Sequence, residues 1–368
     1  MSFKLLGLIC KLGQILALTP PSIEVKGNTF GRKLYILAVC ALVTSGVIFS
    51  AIKKNFYRQH IHIKIVVCFL NDFTLNGLFF YATIILGLRK RYLWKSLFNN
   101  FERTGYLTKL INDKNTAPYY LGFLAANFIH LVQASYVAFV WFQIDGFDCF
   151  ARNVVKTVQL YTQFFYTFLL CVLCNMLLAR YKGLKFLLET YMQQNSQLTK
   201  VYRSAEIPLN LIKKTEYTMC LLKKSVDTYN EMFGWPMFLI ISYTAIEILN
   251  TIDDAIFHSD VLPLIHMIFF SVAIVGWTFL GTVVLILMCD SVCQEADELA
   301  SLTYDLRLFF NDSTIGENYK MQEFSNFIQR NLPKLTAANF FYIDRSTILS
   351  ILGTVSTFLI IMIQFGKE

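Results

Sequence analysis

Seven apolar stretches of roughly 20 residues set the strongest limit on what this chain can fold into. A helix that crosses the hydrocarbon core of a bilayer needs about 20 mostly apolar residues. Within the seven stretches, the only formal charges are Asp72 and Glu247. The pattern predicts an all-α membrane protein with seven transmembrane helices. The stretches are Leu34–Ile52, Ile65–Leu88, Leu121–Ile144, Val158–Ala179, Met232–Ile252, Val261–Met288 and Ser346–Phe365.

The composition excludes the main soluble classes. Apolar residues make up 55% of the 368 residues and charged residues 16%, whereas soluble domains carry about 45–50% and about 25%. This balance argues against a disordered chain, a fibrous repeat and a cytosolic enzyme. The net charge of +8 is therefore interpreted as loop charge, and no nucleic-acid partner is expected.

The distribution of Lys and Arg predicts the orientation in the membrane. The N-terminal tail and the second–third, fourth–fifth and sixth–seventh connections hold 25 of the 33 basic residues, and the opposite side holds seven. Cytoplasmic loops are the basic ones. We therefore expect a cytoplasmic N-terminus and an extracellular C-terminus, which an odd number of spans requires. Leu5–Leu18 is predicted to be a short interfacial helix, not a signal peptide.

Two long connections on the basic side show helical periodicity. Apolar residues recur at helical spacing through Tyr181–Glu231 and again through Cys289–Ala338. Spans four and five are therefore expected to continue as cytoplasmic helices. The stripes either pack on each other within one chain or form an oligomeric hub. The predicted division is a transmembrane bundle over 1–288 (with helix extensions at 181–231), cytoplasmic helices over 289–345 and a seventh spanning helix over 346–368.

The end of the chain carries a recognisable signature. Residues Thr357 to Phe365 read Thr-Phe-Leu-Ile-Ile-Met-Ile-Gln-Phe. This resembles the signature of insect gustatory receptors, in which Thr-Tyr precedes five hydrophobic residues and Gln-Phe. Phe358 stands where Tyr is usual. The preceding segment, Ala337–Arg345, also resembles that family's approach to its last helix. The resemblance covers about 30 residues by sequence and the whole chain by its seven-span layout.

The resemblance implies a chemosensory receptor that acts as a ligand-gated non-selective cation channel. Members of that family and the related odorant receptors are similar in forming tetramers, with one pore lined by the seventh helices and a cytoplasmic anchor that holds most subunit contacts. A small tastant binds in the outer half of each bundle. The expected location is the plasma membrane of sensory neurons. The expected partners are membrane lipid and permeating cations, and the chain forms either a homotetramer or a heteromer with related receptors.

The last span contains the candidate pore residues. Thr357, Ile361, Gln364 and Phe365 fall on one helix face. An apolar ring can gate a pore by dewetting, and a ring of amides can hold hydrated cations. Ile361 and Phe365 are therefore the candidate gate, and Gln364 is expected to face the pore. The alternative is that Gln364 is merely interfacial.

Polar and aromatic side chains in the outer half of the bundle are the ligand-site candidates. Small-molecule sites combine aromatic walls with a few polar groups, and charged residues in membrane helices usually face a cavity or a partner. Helix–helix hydrogen bonds are the alternative for each of them. The candidates are Asp72, Asn76, Gln133, Tyr136, Trp141, Tyr161, Gln163, Tyr243, Glu247, His266, Phe270 and Trp277.

The ligand class follows only weakly from the signature. Sugar-sensing members of the family tend to carry Glu where this chain has Leu359, which favours a non-sugar such as a bitter plant compound and leaves fructose or another sugar open. His130 and His266 have no second ligand at helical spacing, so they are interpreted as packing residues. No metal, cofactor or catalytic residue is expected.

Three other classes compete with a channel. A receptor that couples to G proteins has its N-terminus outside, and the chain lacks an Asp-Arg-Tyr triplet after span three. A transporter would show inverted repeats and helices broken by Gly or Pro. A membrane enzyme would need a cluster of His, Asp or Glu near one face. The sequence favours none of these.

Overall fold

The computed structural model describes residues 3–20, 29–53, 62–108, 117–198, 209–257, 264–309 and 315–365. Nearly all of this part of the chain is helical. The helices are α1 (Phe3–Ile15), α2 (Thr29–Lys53), α3 (His62–Phe80) with a π-helical continuation (Tyr81–Arg89), α4 (Arg91–Leu107), α5 (Ala117–Leu198), α6 (Leu209–Phe257), α7 (Leu264–Phe309), α8 (Ile315–Arg330) and α9 (Arg345–Phe365). A two-stranded hairpin, β1 (Thr336–Ala337) and β2 (Phe341–Tyr342), precedes α9.

Six helical segments are long and apolar enough to cross a membrane, by length and composition. They are Phe30–Phe49, Ile65–Arg89, Tyr120–Phe139, Val154–Gln193, Asn210–Ile252 and Val275–Arg307, and they confirm the first six predicted spans. The seventh predicted span is α9, a helix of 21 residues that contains a shorter apolar stretch, Arg345–Ile361. The chain is a multi-pass helical membrane protein.

The 82 helical residues of α5 form two antiparallel arms, not one rod. Asn127 and Tyr161 share a hydrogen bond of 2.8 Å, although 34 residues of straight helix would separate them by about 50 Å. The rings of Phe123 and Phe168 also meet, at 5.1 Å. The chain therefore reverses near the midpoint of these pairs, beside Asp145. The predicted connection at 145–157 begins there, but its residues are helical.

Contacts between the spanning helices alternate in direction, as a bundle of successive spans requires. In α3 and α6, Asn71 contacts Glu247 and Tyr81 contacts the carbonyl of Met232, so the two helices run antiparallel. The end of α2, the start of α3, the reversal of α5, the end of α6 and the start of α7 lie at one end of the bundle. The opposite end, the anchor end, holds α4, α8 and the β-hairpin.

Helices α5 and α6 continue well past the length of a span at the anchor end, as the periodicity predicted, and α7 does the same. Helix α4 also lies there and was not predicted. Its apolar residues at helical spacing, Leu93, Trp94, Leu97 and Phe101, are all buried. That spacing indicates an amphipathic helix, but the many charged residues around it are also typical of a loop.

Arg180 joins α4 to the second arm of α5 without leaving the interior. Its side chain is buried, and Nη2 donates to the carbonyl of Phe101 at 2.8 Å while Nη1 donates to that of Met176 at 2.6 Å. Nε donates to Thr104 Oγ1 at 3.0 Å. The guanidinium also lies over the Phe101 ring, 4.7 Å from its centre. The planar fork thus binds two helices at once.

The apolar stripes of the anchor are buried within the chain. Val292, Ala296 and Leu299 of α7 are fully covered, and Met321, Phe324 and Ile328 of α8 are nearly so. Helix α8 packs on α7 and α6. Of the two alternatives for these stripes, packing within one chain is therefore what the structure shows, and the stripes themselves give no argument for a hub between subunits.

The β-hairpin is held tightly against α6. Ala338 and Asn339 both have positive φ, 51° and 62°, and the Phe340 N–H donates to the Ala337 carbonyl at 2.9 Å, as in a type I′ turn. The Asn230 side chain of α6 donates to the Lys334 carbonyl and accepts from the Thr336 N–H. Gly234 permits this approach, because an added Cβ would lie 3.0 Å from the Ala338 nitrogen.

A nine-residue π-helical segment, Tyr81–Arg89, ends α3 at the anchor side. Its last turn closes with the Lys90 N–H donating to the Ile85 carbonyl, five residues back. At its two ends, the Tyr81 hydroxyl donates to the Met232 carbonyl and the Lys90 ammonium to the Glu231 carbonyl. Desolvation lowers the pKa of Lys90, with Glu231 opposing and Arg89 adding to the shift.

Candidate ligand site and pore helix

The first group of predicted site residues surrounds Glu247, between α3, α5 and α6. The Glu247 carboxylate is buried and accepts from the Asn71 amide at 2.6 Å. Lys156 of α5 lies 3.9 Å from its second oxygen. The Tyr243 hydroxyl, one turn away on α6, is buried close to this carboxylate without reaching hydrogen-bond geometry. A charged side chain in a membrane helix is costly, and here it has both a donor and a cation beside it.

Asp72 and Asn76 of α3 belong to the same region. The Asn76 amide donates to the Asp72 carbonyl, and its oxygen accepts from Gln159 at 2.6 Å. We call Asn71, Asn76, Lys156, Gln159 and Glu247 the polar cluster. Its bonds join three helices, which is the helix–helix role that the sequence left open for these residues. The sequence analysis did not predict Gln159, Lys156 and Asn71 as site residues. They could have been found as polar side chains in or next to apolar helices.

The second group forms an aromatic cluster between the two arms of α5 and α7. The His130 ring stacks on Phe164, with centres 4.7 Å apart and planes 13° apart, and meets Tyr161 edge-on at 5.4 Å. Trp277 of α7 lies 6.0 Å from Phe164. The aromatic cluster comprises Phe123, His130, Tyr161, Phe164, Phe168 and Trp277. His130, interpreted from sequence as a packing residue, stands at its centre.

Gln133 links this cluster to α7. Its amide nitrogen donates to the Ala273 carbonyl at 2.7 Å, while its oxygen is buried with no partner among the described residues. The Nδ1 atom of His130, one turn earlier, is in the same state. The Tyr161 hydroxyl is already bonded, since it donates to Asn127 at 2.8 Å. Aromatic walls with a few polar atoms are the usual lining of a small-molecule site.

The predicted residues that the structure describes lie in two groups of contacts. Gln133, Tyr161 and Trp277 lie in the aromatic cluster, and Asp72, Asn76, Tyr243 and Glu247 in or beside the polar cluster. Tyr136 is half-buried on the first arm of α5, and Gln163 is buried on the second. The side chains of Trp141, His266 and Phe270 lie outside the described residues, as does that of Phe365.

Helix α9 contacts the bundle along one stripe. Thr347, Ile351 and Val355, spaced four residues apart, are buried against α6 and α7. Another face of α9 exposes large apolar side chains in this single chain, including Leu349 at 71% and Ile360 at 57%. Such a face requires lipid or another protein surface to cover it.

A third face of α9 is small and polar. It is exposed, lies about a third of a turn from the buried stripe, and includes the predicted Thr357 and Gln364, with half-buried Ile361 beside them. We call it the polar stripe, and its members are Ser346, Ser350, Gly353, Thr357 and Gln364. The Ser350 and Thr357 hydroxyls donate to carbonyls four residues back, so their lone pairs stay available. The first three members were missed from sequence, although their spacing was readable.

The start of α9 is fixed by charged side chains. Asp344 precedes the helix and accepts from the Ser346 hydroxyl at 2.5 Å and the Thr347 N–H at 3.2 Å. These bonds, the Ser346 hydroxyl first, lower the pKa of the Asp344 carboxyl. Arg345 donates to Asp290 of α7 at 2.7 Å and to Gln294 at 3.2 Å. In the described part of the chain, no group of three or more His, Cys, Asp or Glu could hold a metal ion.

This fold, a bundle of apolar spans with long extensions at one end and a separate terminal helix, is that of a multi-pass helical membrane protein. The model of the 7tm chemosensory receptor family matches residues 6–368. The chain therefore belongs to the 7tm chemosensory receptor family, which confirms at that level the resemblance carried by Thr357–Phe365.

Solved structures show the same fold. The structure of the insect olfactory receptor OR5 from Machilis hrabei in complex with eugenol matches with a TM-score of 0.67 at 14% identity, over 98% of each chain. A second structure of the same receptor matches with a TM-score of 0.58, also at 14% identity and over 98% of each chain. At that identity the likeness concerns the fold alone. A search of curated protein sequences gives no match.

Proposed function

We propose that this protein is a gustatory-type chemosensory receptor that acts as a ligand-gated non-selective cation channel. In this proposal a small tastant, a non-sugar in preference to fructose or another sugar, binds in the outer half of the bundle, with the N-terminus cytoplasmic and the C-terminus outside. Four copies, either of this chain alone or of this chain together with related receptors, assemble in the plasma membrane of sensory neurons. No catalytic activity is proposed.

The polar stripe of α9 is the observation that carries the proposal. Five small or amide-bearing positions follow one face of an otherwise apolar helix. Polar groups are expensive to place against lipid hydrocarbon, so this face is best suited to water. One helix cannot enclose a pore, but several copies around an axis can. The exposed apolar face beside the stripe then serves as a contact between neighbours or with lipid.

The small polar side chains suit a cation path. Hydroxyl oxygens that donate within their own helix keep lone pairs for the water around an ion, and an amide ring at Gln364 offers carbonyl oxygens. Half-buried Ile361, one turn before Phe365, supplies the apolar constriction. A ligand bound between α5 and α7 could act on α9 through α7, because Arg345 is bonded to Asp290.

The test is expression of the whole chain in a cell line, with current recorded against a panel of sugars and plant alkaloids. A channel gives ligand-evoked current in excised patches without nucleotide, whereas a G-protein-coupled receptor loses its response there. Gln364→Ala should keep gating and alter unitary conductance or divalent permeability. Phe365→Ala should give current without ligand.

The matched control is Ile363→Ala, an exposed position on the apolar face of α9 that should leave unitary conductance unchanged. If Gln364→Ala and Phe365→Ala both reach the surface with wild-type conductance and no basal current, α9 does not line the pore. Response that disappears on patch excision would assign the protein to the G-protein class instead.

A further inference from the structure

The start of α2 and the end of the π-helical segment form a basic surface at the anchor end of the bundle. The candidate spans in these two elements begin at Phe30 and end at Arg89, so both of these ends lie at the edge of the hydrocarbon. Packing brings them together, because Gly87 lies against Ala17, just after α1, and against Ile36 of α2. We call this surface the basic corner, and its members are Arg32, Lys33, Arg89 and Arg91.

The Arg32 guanidinium is held in place by the end of α1. Its Nη2 donates to the Thr19 carbonyl at 2.7 Å and to the Gln14 carbonyl at 3.5 Å. In the described structure its Nη1 group makes no hydrogen bond, and Arg91 lies within electrostatic reach of it. Two guanidinium groups near each other repel. An anion bound between them would therefore stabilise the corner.

The outer part of the corner is both basic and apolar. Lys33 and Arg89 are exposed. Lys33 shares the outward face of α2 with Phe30 and Leu34, which are exposed at 74% and 59%. Such apolar side chains suit acyl chains, and a Lys at the end of an apolar face extends its ammonium to the lipid headgroups. An apolar face that ends in cations at headgroup level fits a lipid better than a soluble anion.

The charges of the corner select the kind of headgroup. Residues 3–20, 29–53 and 81–96 contain no Asp or Glu, and the one acid between the first two ranges, Glu24, lies outside the described residues. Lys90 is turned to the Glu231 carbonyl of α6. A choline headgroup would bring an ammonium against these cations. A phosphate monoester brings between one and two negative charges and oxygens that fit the guanidinium fork.

We propose that the basic corner binds the headgroup of an anionic phospholipid, with a phosphate monoester, as in phosphatidic acid, preferred. Arg32 and Arg91 contact the phosphate, and Phe30 and Leu34 pack against the acyl chains. This inference goes beyond the proposed function and does not depend on α9 lining a pore. The proposed orientation agrees with it, because anionic lipids of the cytoplasmic leaflet attract basic segments.

The test compares dioleoylphosphatidic acid with dioleoylphosphatidylcholine, which carry the same acyl chains and differ in the headgroup. The purified full-length protein in detergent is mixed with equal amounts of the two lipids, and the bound molecules of each are counted by native mass spectrometry. Each basic side chain near an anionic headgroup contributes about fivefold in affinity. We therefore expect phosphatidic acid to be preferred by at least about tenfold. Inorganic phosphate in large excess should not displace it, because phosphate has no acyl chains.

Charge-removing variants locate the effect. Lys33→Gln with Arg89→Gln removes two exposed cations, so the preference should fall to about twofold or less. If that variant does not fold, Arg32→Gln alone should lower the preference about fivefold. The control is Lys213→Gln with Lys320→Gln, which removes two exposed cations from α6 and α8. Lys213 lies about 28 Å along α6 from Met232, where the predicted span begins, so the control should keep the wild-type preference.

The outcomes separate a lipid site from its alternatives. Equal binding of the two lipids by the wild type overturns the proposal, as does a preference that is unchanged in both Lys33→Gln/Arg89→Gln and Arg32→Gln. Displacement of phosphatidic acid by inorganic phosphate assigns the corner to a soluble anion and overturns it too. A preference that appears only in Glu24→Gln makes the chain's own carboxylate the occupant, with the same consequence. Ligand-evoked current without any lipid preference leaves the channel standing and removes this inference.

Discussion

Replacement of Arg180 by Lys should loosen the junction between α4 and the second arm of α5. The guanidinium donates to two carbonyls on different helices, at 2.8 Å to Phe101 and 2.6 Å to Met176, and to the Thr104 hydroxyl. An ammonium has no planar fork and cannot hold this geometry. The loss of two hydrogen bonds from a charged donor, at about 1.5 kcal/mol each, predicts a destabilisation of about 3 kcal/mol.

The assay is thermal unfolding of the purified protein in mild detergent, followed by the fraction that remains monodisperse after heating. A loss of about 3 kcal/mol should lower the midpoint by at least several degrees. Arg103→Lys makes the same chemical change on the exposed face of α4 and is the control. A midpoint for Arg180→Lys equal to that of Arg103→Lys would refute the view that the fork is what joins the helices.

Three further predictions concern the segment before α9 and the orientation. Gly234→Ala should destabilise the protein by about 1–2 kcal/mol, because the added Cβ meets the Ala338 backbone. The control Gly7→Ala, which has open space around its Cβ, should not. Equal midpoints of thermal unfolding for the two variants would contradict the argument from close approach. Asp344→Ala should destabilise the protein by about 1 kcal/mol at neutral pH, and Asp344→Asn by much less, because Asn also caps helices. The pKa of Asp344 is lowered in the folded protein, so the stability advantage of the wild type over Asp344→Ala should hold above pH about 4 and fade as the pH falls through the folded pKa. A difference that does not depend on pH would contradict this. An epitope fused after Glu368 should be labelled on intact cells, and labelling only after permeabilisation would reverse the proposed orientation.

The sequence was sufficient for the spans because hydrophobic length acts locally. Each of the first six apolar stretches became a helix, and the reversal of α5 falls beside Asp145, where the prediction placed the start of a connection. The sequence could not show that residues 145–157 are helical, because the residue types of this segment are compatible with both a loop and a helix. Helix α4 differs, because its apolar residues Leu93 and Trp94 lie among basic side chains, and a dense basic segment indicates a cytoplasmic loop as readily as an amphipathic helix.

The residue types of the candidate site could be predicted from the sequence, but the contacts between its side chains could not. Residue type alone placed Gln133, Glu247 and Trp277 in one pocket, since polar and aromatic side chains in apolar helices suit a ligand. Which neighbour each side chain meets depends on helix rotation, which a list of residues does not contain. The interpretation of His130 as a packing residue agrees with its stacking on Phe164.

The π-helical segment at Tyr81–Arg89 has a consequence for how this chain tolerates length changes. A π turn holds more residues than an α turn of the same rise. The segment can therefore accommodate an inserted residue within α3. Its ends are tied to α6 through Tyr81 and Lys90, which confines the adjustment to the residues between them. Removal of one residue there should tighten the coil between Tyr81 and Lys90 and leave the preceding part of α3 in place, whereas the same deletion before Asn71 would rotate the first turns of the helix. Length variation in related genes should therefore concentrate within this short interval of the span.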